Sequence, residues 1–301
     1  MNLFKNEKNA LVISAGSVKG IIMLGSLEYI EKLNIQFSVY CGSSVGSIIC
    51  FTKILGYKPS ELIAKLCSFP LLKNMQSYFN YFNLIRIQNG GIIPFEIIEE
   101  FMIKLMTEKN IKRTITLKEF YELYPYDYYI TSFNITQNQK CYLSHKTHPN
   151  LQLLKALQMS CSIPFIFEPC IMDNDIYIDG AFTEHFPINF ISNLYSDYNI
   201  VGITVKTKDD EYLPYNLIPN NWNGLINVLK TFVKYYNKNY SNSLLNVGIT
   251  KNKNIIICCL PVLSLNVFDY FLTYTNIHKL FIDSYKFMET NEKFLIKKKI
   301  D

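Results

Sequence analysis

Ala10-Leu11-Val12-Ile13 is an unbroken apolar run closed by Ser14-Ala15-Gly16-Ser17, the pattern of a buried strand entering a tight loop. From Gly20 to Asn34, residues Ile22, Leu24, Leu27, Ile30 and Leu33 recur at helical intervals. The chain therefore opens strand, small-residue loop, helix. The pattern repeats at once: Phe37 to Cys41 is strand-like, Gly42 to Gly46 is a second sharp turn, and Ser47 to Leu55 reads as a helix that stops at Gly56. Two such units in the first sixty residues predict an α/β fold with both sheet faces covered.

Further along, Glu61 to Ile85 and Pro94 to Leu105 are amphipathic and rich in aromatic residues, and Asn89-Gly90-Gly91 separates them. They predict a helical layer or cap. Tyr128 to Phe133 and Lys140 to Ser144 alternate as strands around the polar turn Thr136-Gln137-Asn138-Gln139. Leu151 to Met159 predicts a helix, and Ile176-Tyr177-Ile178 a strand that ends in Asp179-Gly180. Ile200 to Val205 and Ile255 to Leu260 predict two more strands, Leu225 to Tyr236 a helix, and Val267 to Met288 a closing helix. No repeat divides the chain, so residues 1–301 read as one domain. Its motif-bearing core is at about 8–205 and its helical and strand extension at 206–301, with Thr207 to Asn223 as the main irregular excursion.

At 301 residues and 49% hydrophobic, the chain can bury a full core. The 30 basic and 25 acidic residues are interleaved, and the only short basic run is Lys297-Lys298-Lys299, which argues against a nucleic-acid partner. The eight cysteines lack C-x-x-C spacing and read as reduced core residues. The polar start Met1 to Asn9 carries no secretory pattern, and Pro261, Ser264, Asn266 and Asp269 interrupt the longest apolar stretch. These features predict a soluble, cytoplasmic protein without a transmembrane segment. No His, Cys, Asp and Glu set has metal-ligand spacing, so neither a metal nor another cofactor is expected.

Three turns can carry chemistry. Gly42-Ser43-Ser44-Val45-Gly46 fits G-x-S-x-G between an apolar strand and an apolar helix. That spacing lets a nucleophile, here Ser44, project from a strained turn while the backbone folds beneath it. An ordinary βα turn is the alternative. Ser14 to Gly20 lacks both the P-loop and the dinucleotide order. Small residues at a helix start can aim backbone N–H groups at an oxyanion or a phosphate, or can simply make a tight turn. Asp179-Gly180-Ala181 places a carboxylate at a strand end, where it could take a serine proton or merely form a turn.

In this order, the three stretches resemble the patatin-like phospholipase family. Ala15, Gly16, Ser17, Val18, Lys19 and Gly20 stand where that family has its oxyanion loop, G-G-G-x-K/R-G. Gly42 to Gly46 matches its nucleophile elbow, and Asp179-Gly180-Ala181 its D-G-A/G motif. Leu151 to Ala156 followed by Ser160-Cys161-Ser162-Ile163-Pro164 resembles the helix and small-residue turn before the last motif. The resemblance covers about Ala10 to Val205. It implies a three-layer α/β fold related to the α/β-hydrolase elbow architecture, with a mixed, mostly parallel sheet covered by helices. It further implies a metal-independent Ser-Asp dyad: Ser44 as nucleophile, Asp179 as proton acceptor, and backbone amides around Gly16 and Ser17 as the oxyanion hole. The implied partner is a phospholipid or other glycerolipid met at a membrane surface, to which the protein would bind peripherally.

Ala15 and Ser17 depart from the family's glycines, and His185 follows the D-G-A where an Asn is expected. A catalytically silent lipid-binding protein of the same fold is the rival reading, and nucleotide binding through Gly16 to Gly20 a third. His278 satisfies the Ser, acid, His order of a conventional triad, but its apolar neighbours suggest a half-buried structural residue. His145 and His148 have no place in that order. Phe69, Leu72, Met75, Tyr78, Phe79, Tyr81, Phe82 and Leu84 read as core or as an acyl channel, and Trp222 as loop packing or an interfacial anchor.

Overall fold

The computed structural model describes residues 7–78, 86, 88–207, 255–262 and 272–291. Strand β1 (Asn9–Ile13) lies between two parallel neighbours, β2 (Val39–Ser43) and β9 (Asn199–Thr207); β10 (Ile255–Val262) continues the parallel set beside β9. On the other side β2 pairs in parallel with β4 (Asp127–Asn134). Strand β4 also pairs antiparallel with β5 (Gln139–Leu143) and β8 (Asp175–Asp179), and β7 (Cys170–Met172) closes the edge against β8. A separate parallel pair joins β3 (Gly91–Ile93) and β6 (Phe165–Phe167).

One detail of this pairing positions the site. On β4, Ile130 and Thr131 face both β2 and β5, so those two strands occupy opposite edges. Ser132 faces Cys141 of β5 and Asp179 of β8. Strands β2 and β8 therefore share one edge of β4 and meet end to end: Thr131 faces Ser43, and the next residue, Ser132, faces Asp179.

Alternation along the strands separates two cores. Leu11, Ile13, Tyr40, Tyr128, Ile130, Val201 and Ile203 belong to the larger one. On that face lie α1 (Gly20–Lys32), α2 (Val45–Ile54), α3 (Pro59–Ser68), α4 (Leu71–Ser77), α5 (Glu96–Glu108), α6 (Leu117–Leu123), α7 (Leu153–Cys161) and α9 (Tyr274–Thr290). Ala10, Val12, Val39, Cys41, Tyr129 and Ile200 point the other way, where Phe186 and α8 (Ile188–Leu194) cover them. The result is a three-layer α/β fold with a mixed, mostly parallel sheet, as the family resemblance implies.

Several boundaries differ from the sequence reading. Strand β2 starts later than Phe37 and runs through Ser43, and α2 starts at Val45 rather than Ser47 because the turn between them is a single residue, Ser44. The amphipathic stretch from Glu61 forms two helices, α3 and α4, separated at Phe69-Pro70; residues 79–85, with Phe79, Tyr81, Phe82 and Leu84, lie outside the described residues. Of the aromatic segment that is described, Met75 is buried and Phe69, Leu72 and Tyr78 pack partly buried against the main core. Helix α6, absent from the sequence reading, starts at a capping box in which Thr116 Oγ1 accepts the Glu119 N–H and the Glu119 carboxylate accepts the Thr116 N–H. Helix α9 begins at Tyr274, where Thr273 caps it, seven residues after the expected Val267. The predicted helix at 225–236 and Trp222 lie outside the described residues.

Candidate active site

Ser44 is the whole connection between β2 and α2, at φ 53° and ψ −127°. A non-glycine residue rarely adopts such a backbone, which costs roughly 1 to 3 kcal/mol and persists only where the surroundings hold it. The surroundings do so at close quarters. A β-carbon at Gly42 would lie 2.3 Å from the Ser47 nitrogen, and one at Gly46 would lie 2.4 Å from the Ile13 carbonyl oxygen. Both flanking residues must be glycine for helix α2 to start directly above the ends of β1 and β2. The Ser44 carbonyl accepts the Ser47 N–H at 2.9 Å and the Ser47 hydroxyl at 2.6 Å.

With the turn held this way, the Ser44 hydroxyl donates to Asp179 Oδ2 at 2.5 Å. Asp179 ends β8, and its other oxygen, Oδ1, accepts the Ala181 N–H at 2.7 Å as the chain enters the 3₁₀ turn Gly180–Phe182. Gly180 lies so close to Thr131 that no side chain fits there. Both residues are buried, Ser44 at 4% exposure and Asp179 at 3%. Burial pushes the Asp179 carboxyl up to about 7, against the hydrogen bonds from Ser44 and from the Ala181 amide, which pull it down. A carboxyl poised near neutrality suits a general base.

The loop after β1 packs against this elbow, since a β-carbon at Gly20 would touch Val45 and the carbonyls of Ile13 and Ser14 abut Gly46. Its amides are partly committed. Ala15 N–H donates to the His185 carbonyl at 2.9 Å, Lys19 N–H to the Gly16 carbonyl at 3.0 Å, and Gly20 N–H to Ser17 and Val18. This moves the candidate oxyanion donors to the turn that begins at Gly16. The departure from glycine that matters for backbone geometry is Ser17, at φ 49°; Ala15 is not in the left-handed region.

No histidine hydrogen-bonds to Ser44 or Asp179 among the described residues. His185 contributes its carbonyl to Ala15, and its own Nδ1 is buried without a hydrogen-bond partner. Burial, and then the nearby Lys19 ammonium, push its pKa down to about 4, so the ring is neutral at ordinary pH. His278 is exposed on α9, not half-buried. His145 stacks on Tyr121 beside Asp127, at the opposite end of β4, and His148 meets Thr147. Among the described residues no group of three or more His, Cys, Asp or Glu side chains could hold a metal ion, and no helix is long and apolar enough to cross a membrane. The described cysteines form no disulfide.

Two contacts escaped the sequence reading. Ser44 N–H donates to Ser160 Oγ at 3.0 Å, and Asp179 N–H donates to the Ser162 carbonyl at 2.9 Å. The signal was the run of small residues after α7, legible as a turn but not as a support.

The family model of the patatin-like phospholipases matches residues 11–190. The probable lipid hydrolase 463L of Invertebrate iridescent virus 6 is 33% identical over 190 residues, which cover 63% of this chain and 65% of that protein. The triacylglycerol lipase ptl3 of Schizosaccharomyces pombe is 20% identical over 247 residues, covering 71% of this chain and 48% of that one. The chain thus spans just under two thirds of the first relative and about half of the second. Among solved structures, VipD from Legionella pneumophila superposes with a TM-score of 0.51 at 15% identity, over 96% of this chain and 66% of that one, a likeness of fold. With the family model matching more than half of its length, over the stretch that carries Ser44, Asp179 and the loop after β1, the chain belongs to the patatin-like phospholipase family.

Proposed function

We propose that this protein is a lipid acyl hydrolase that cleaves carboxylic ester bonds of phospholipids or other glycerolipids through an acyl-enzyme on Ser44. The observation that carries this reading is the direct hydrogen bond from the Ser44 hydroxyl to Asp179. As the Ser44 oxygen attacks the ester carbonyl, its proton passes to Asp179 Oδ2, and the carbonyl oxygen becomes an oxyanion facing the amides that begin at Gly16. When the tetrahedral intermediate collapses, the ester C–O bond breaks and the departing alcohol takes the proton from Asp179. Water then attacks the acyl-enzyme, giving a proton to Asp179; collapse releases the fatty acid, and that proton returns to Ser44. No step needs a metal or another cofactor. The substrate is met at a membrane surface by a peripherally bound protein.

The test is mass-spectrometric analysis of mixed phospholipid and neutral glycerolipid vesicles incubated with the wild type and with Ser44→Ala. Free fatty acid and the matching lyso- or deacylated lipid should appear with the wild type only. Vesicles that bind the folded wild type yet stay intact would favour the silent lipid-binding protein.

A further inference from the structure

We infer that the last turn of α7 and the residue after it, Ser160 to Ser162, form the positioning element that sets the Ser44 to Asp179 contact, with Ser160 Oγ as its acting group. The inference rests on the dyad reading above and concerns residues outside it. Ser160 and Ser162 are both fully buried, at 0% exposure. From this one turn, Ser160 Oγ accepts the Ser44 N–H at 3.0 Å and the Ser162 carbonyl accepts the Asp179 N–H at 2.9 Å. The two halves of the dyad come from different strands, β2 and β8, which touch only end to end along β4. The α7 turn is the element that grips both.

The grip matters most at Ser44. Its backbone is strained, and its buried N–H would lack a partner without the Ser160 hydroxyl, which costs more than a neutral loss of contact. Ser47 closes the arrangement: its hydroxyl lies 2.6 Å from the Ser44 carbonyl and 3.2 Å from Ser160 Oγ, so Ser47 and Ser160 brace the backbone on both sides of Ser44. Because the Ser44 N–H is committed to Ser160, it is not an oxyanion donor. The hydrogen bonds of Ser160 Oγ run to the Ser44 N–H and the Ser47 hydroxyl, so it acts by holding the nucleophile and not by moving a proton.

The experiment is the second-order rate of Ser44 modification by a fluorophosphonate, followed by intact mass across pH 5 to 9. Ser160→Ala is compared with wild type and with Ser26→Ala, another fully buried helical serine whose hydroxyl bonds only a carbonyl, that of Ile22. Ser160→Ala should react about 10- to 100-fold more slowly, the penalty of an unpaired buried donor. The midpoint of its pH profile should stay near the wild-type value, because Asp179 is untouched. Ser26→Ala should react at close to the wild-type rate. Ser160→Cys fills the site with a slightly larger side chain whose sulfur is a weaker acceptor and donor, so it gives the same comparison should the alanine variant fail to fold. A Ser160 variant that folds and reacts as fast as Ser26→Ala overturns the inference, and so does a slowed variant whose midpoint moves with its rate. A folded wild type that does not react at Ser44 would instead sink the dyad reading beneath it.

Discussion

Asp179 Oδ2 accepts the Ser44 hydroxyl directly at 2.5 Å, although the two residues are 135 positions apart in sequence. The contact exists because Thr131 and Ser132, neighbours on β4, face Ser43 and Asp179. An antiparallel strand laid end to end with a parallel one brings a carboxylate directly onto a nucleophile elbow.

The first consequence is a pH profile. In the proposed mechanism Asp179 must be ionised to take the Ser44 proton, and its carboxyl is pushed up to about 7. The kcat/KM for a short-chain ester should rise about tenfold per pH unit below that value and level off above it. A profile already flat from pH 5 upward would mean that another group, or an unshifted carboxylate, is the base.

A second consequence concerns stability. A carboxyl whose folded-state pKa is raised holds a proton between pH 4 and 7 that the unfolded chain would release. Its contribution to stability therefore falls as pH rises through that window, by about 1.4 kcal/mol per pKa unit, and stays low above it. Asp179→Asn removes the burdened charge while keeping the shape. Its Tm at pH 8 should exceed that of the wild type by about 5 °C, and the gain should shrink at pH 5. Equal gains at both pH values would contradict the shift.

The loop after β1 gives a third. Gly16→Val places a β-carbon 2.6 Å from the flexible end of Met23, which can yield, so the variant should fold. It should nevertheless lower kcat about 100-fold, the scale of losing one oxyanion donor. Ser17→Gly relieves the left-handed strain at φ 49° but adds unfolded-state entropy of about 0.4 to 1 kcal/mol, so melting should barely move. Full activity in Gly16→Val would show that the loop holds no oxyanion.

Divalent ions should be dispensable. Near the dyad strand, Asp175 already accepts from Asn134 at 2.8 Å and from Gln137 at 3.2 Å, so it and Asp173 make a poor cation site. Hydrolysis of a soluble ester should continue unchanged in excess chelator, and loss of turnover restored by calcium would contradict this.

Much of this arrangement was legible in the sequence. The run Ala10 to Ile13 and the glycines at 42 and 46 mark a buried strand and an elbow by local rules alone, and Asp179-Gly180-Ala181 marks the end of β8. What local pattern does not carry is pairing across the sheet. Nothing in Thr131-Ser132 announces that one residue will face Ser43 and the next Asp179, and nothing in Ser160 announces that it will take the Ser44 N–H. Short elements were missed for a related reason: β3, β6 and β7 have three residues each, too few for a period of two to show. The assignment of strain to Ser17 and not Ala15 likewise needed the backbone, because both are small residues in a glycine-rich turn.

The most direct test of the Ser-Asp account is the turnover of a short-chain ester by Asp179→Asn set beside His145→Gln, His148→Gln, His185→Gln and His278→Gln, all at pH 8. Asp179→Asn should lose about 10²- to 10⁴-fold in kcat, the range of a general base, with its fold intact. His145, His148 and His278 variants should stay within a few-fold of wild type, and His185→Gln should lose activity only in step with its melting temperature. A folded histidine variant as inactive as Asp179→Asn, or an Asp179→Asn enzyme with wild-type turnover, would contradict the account.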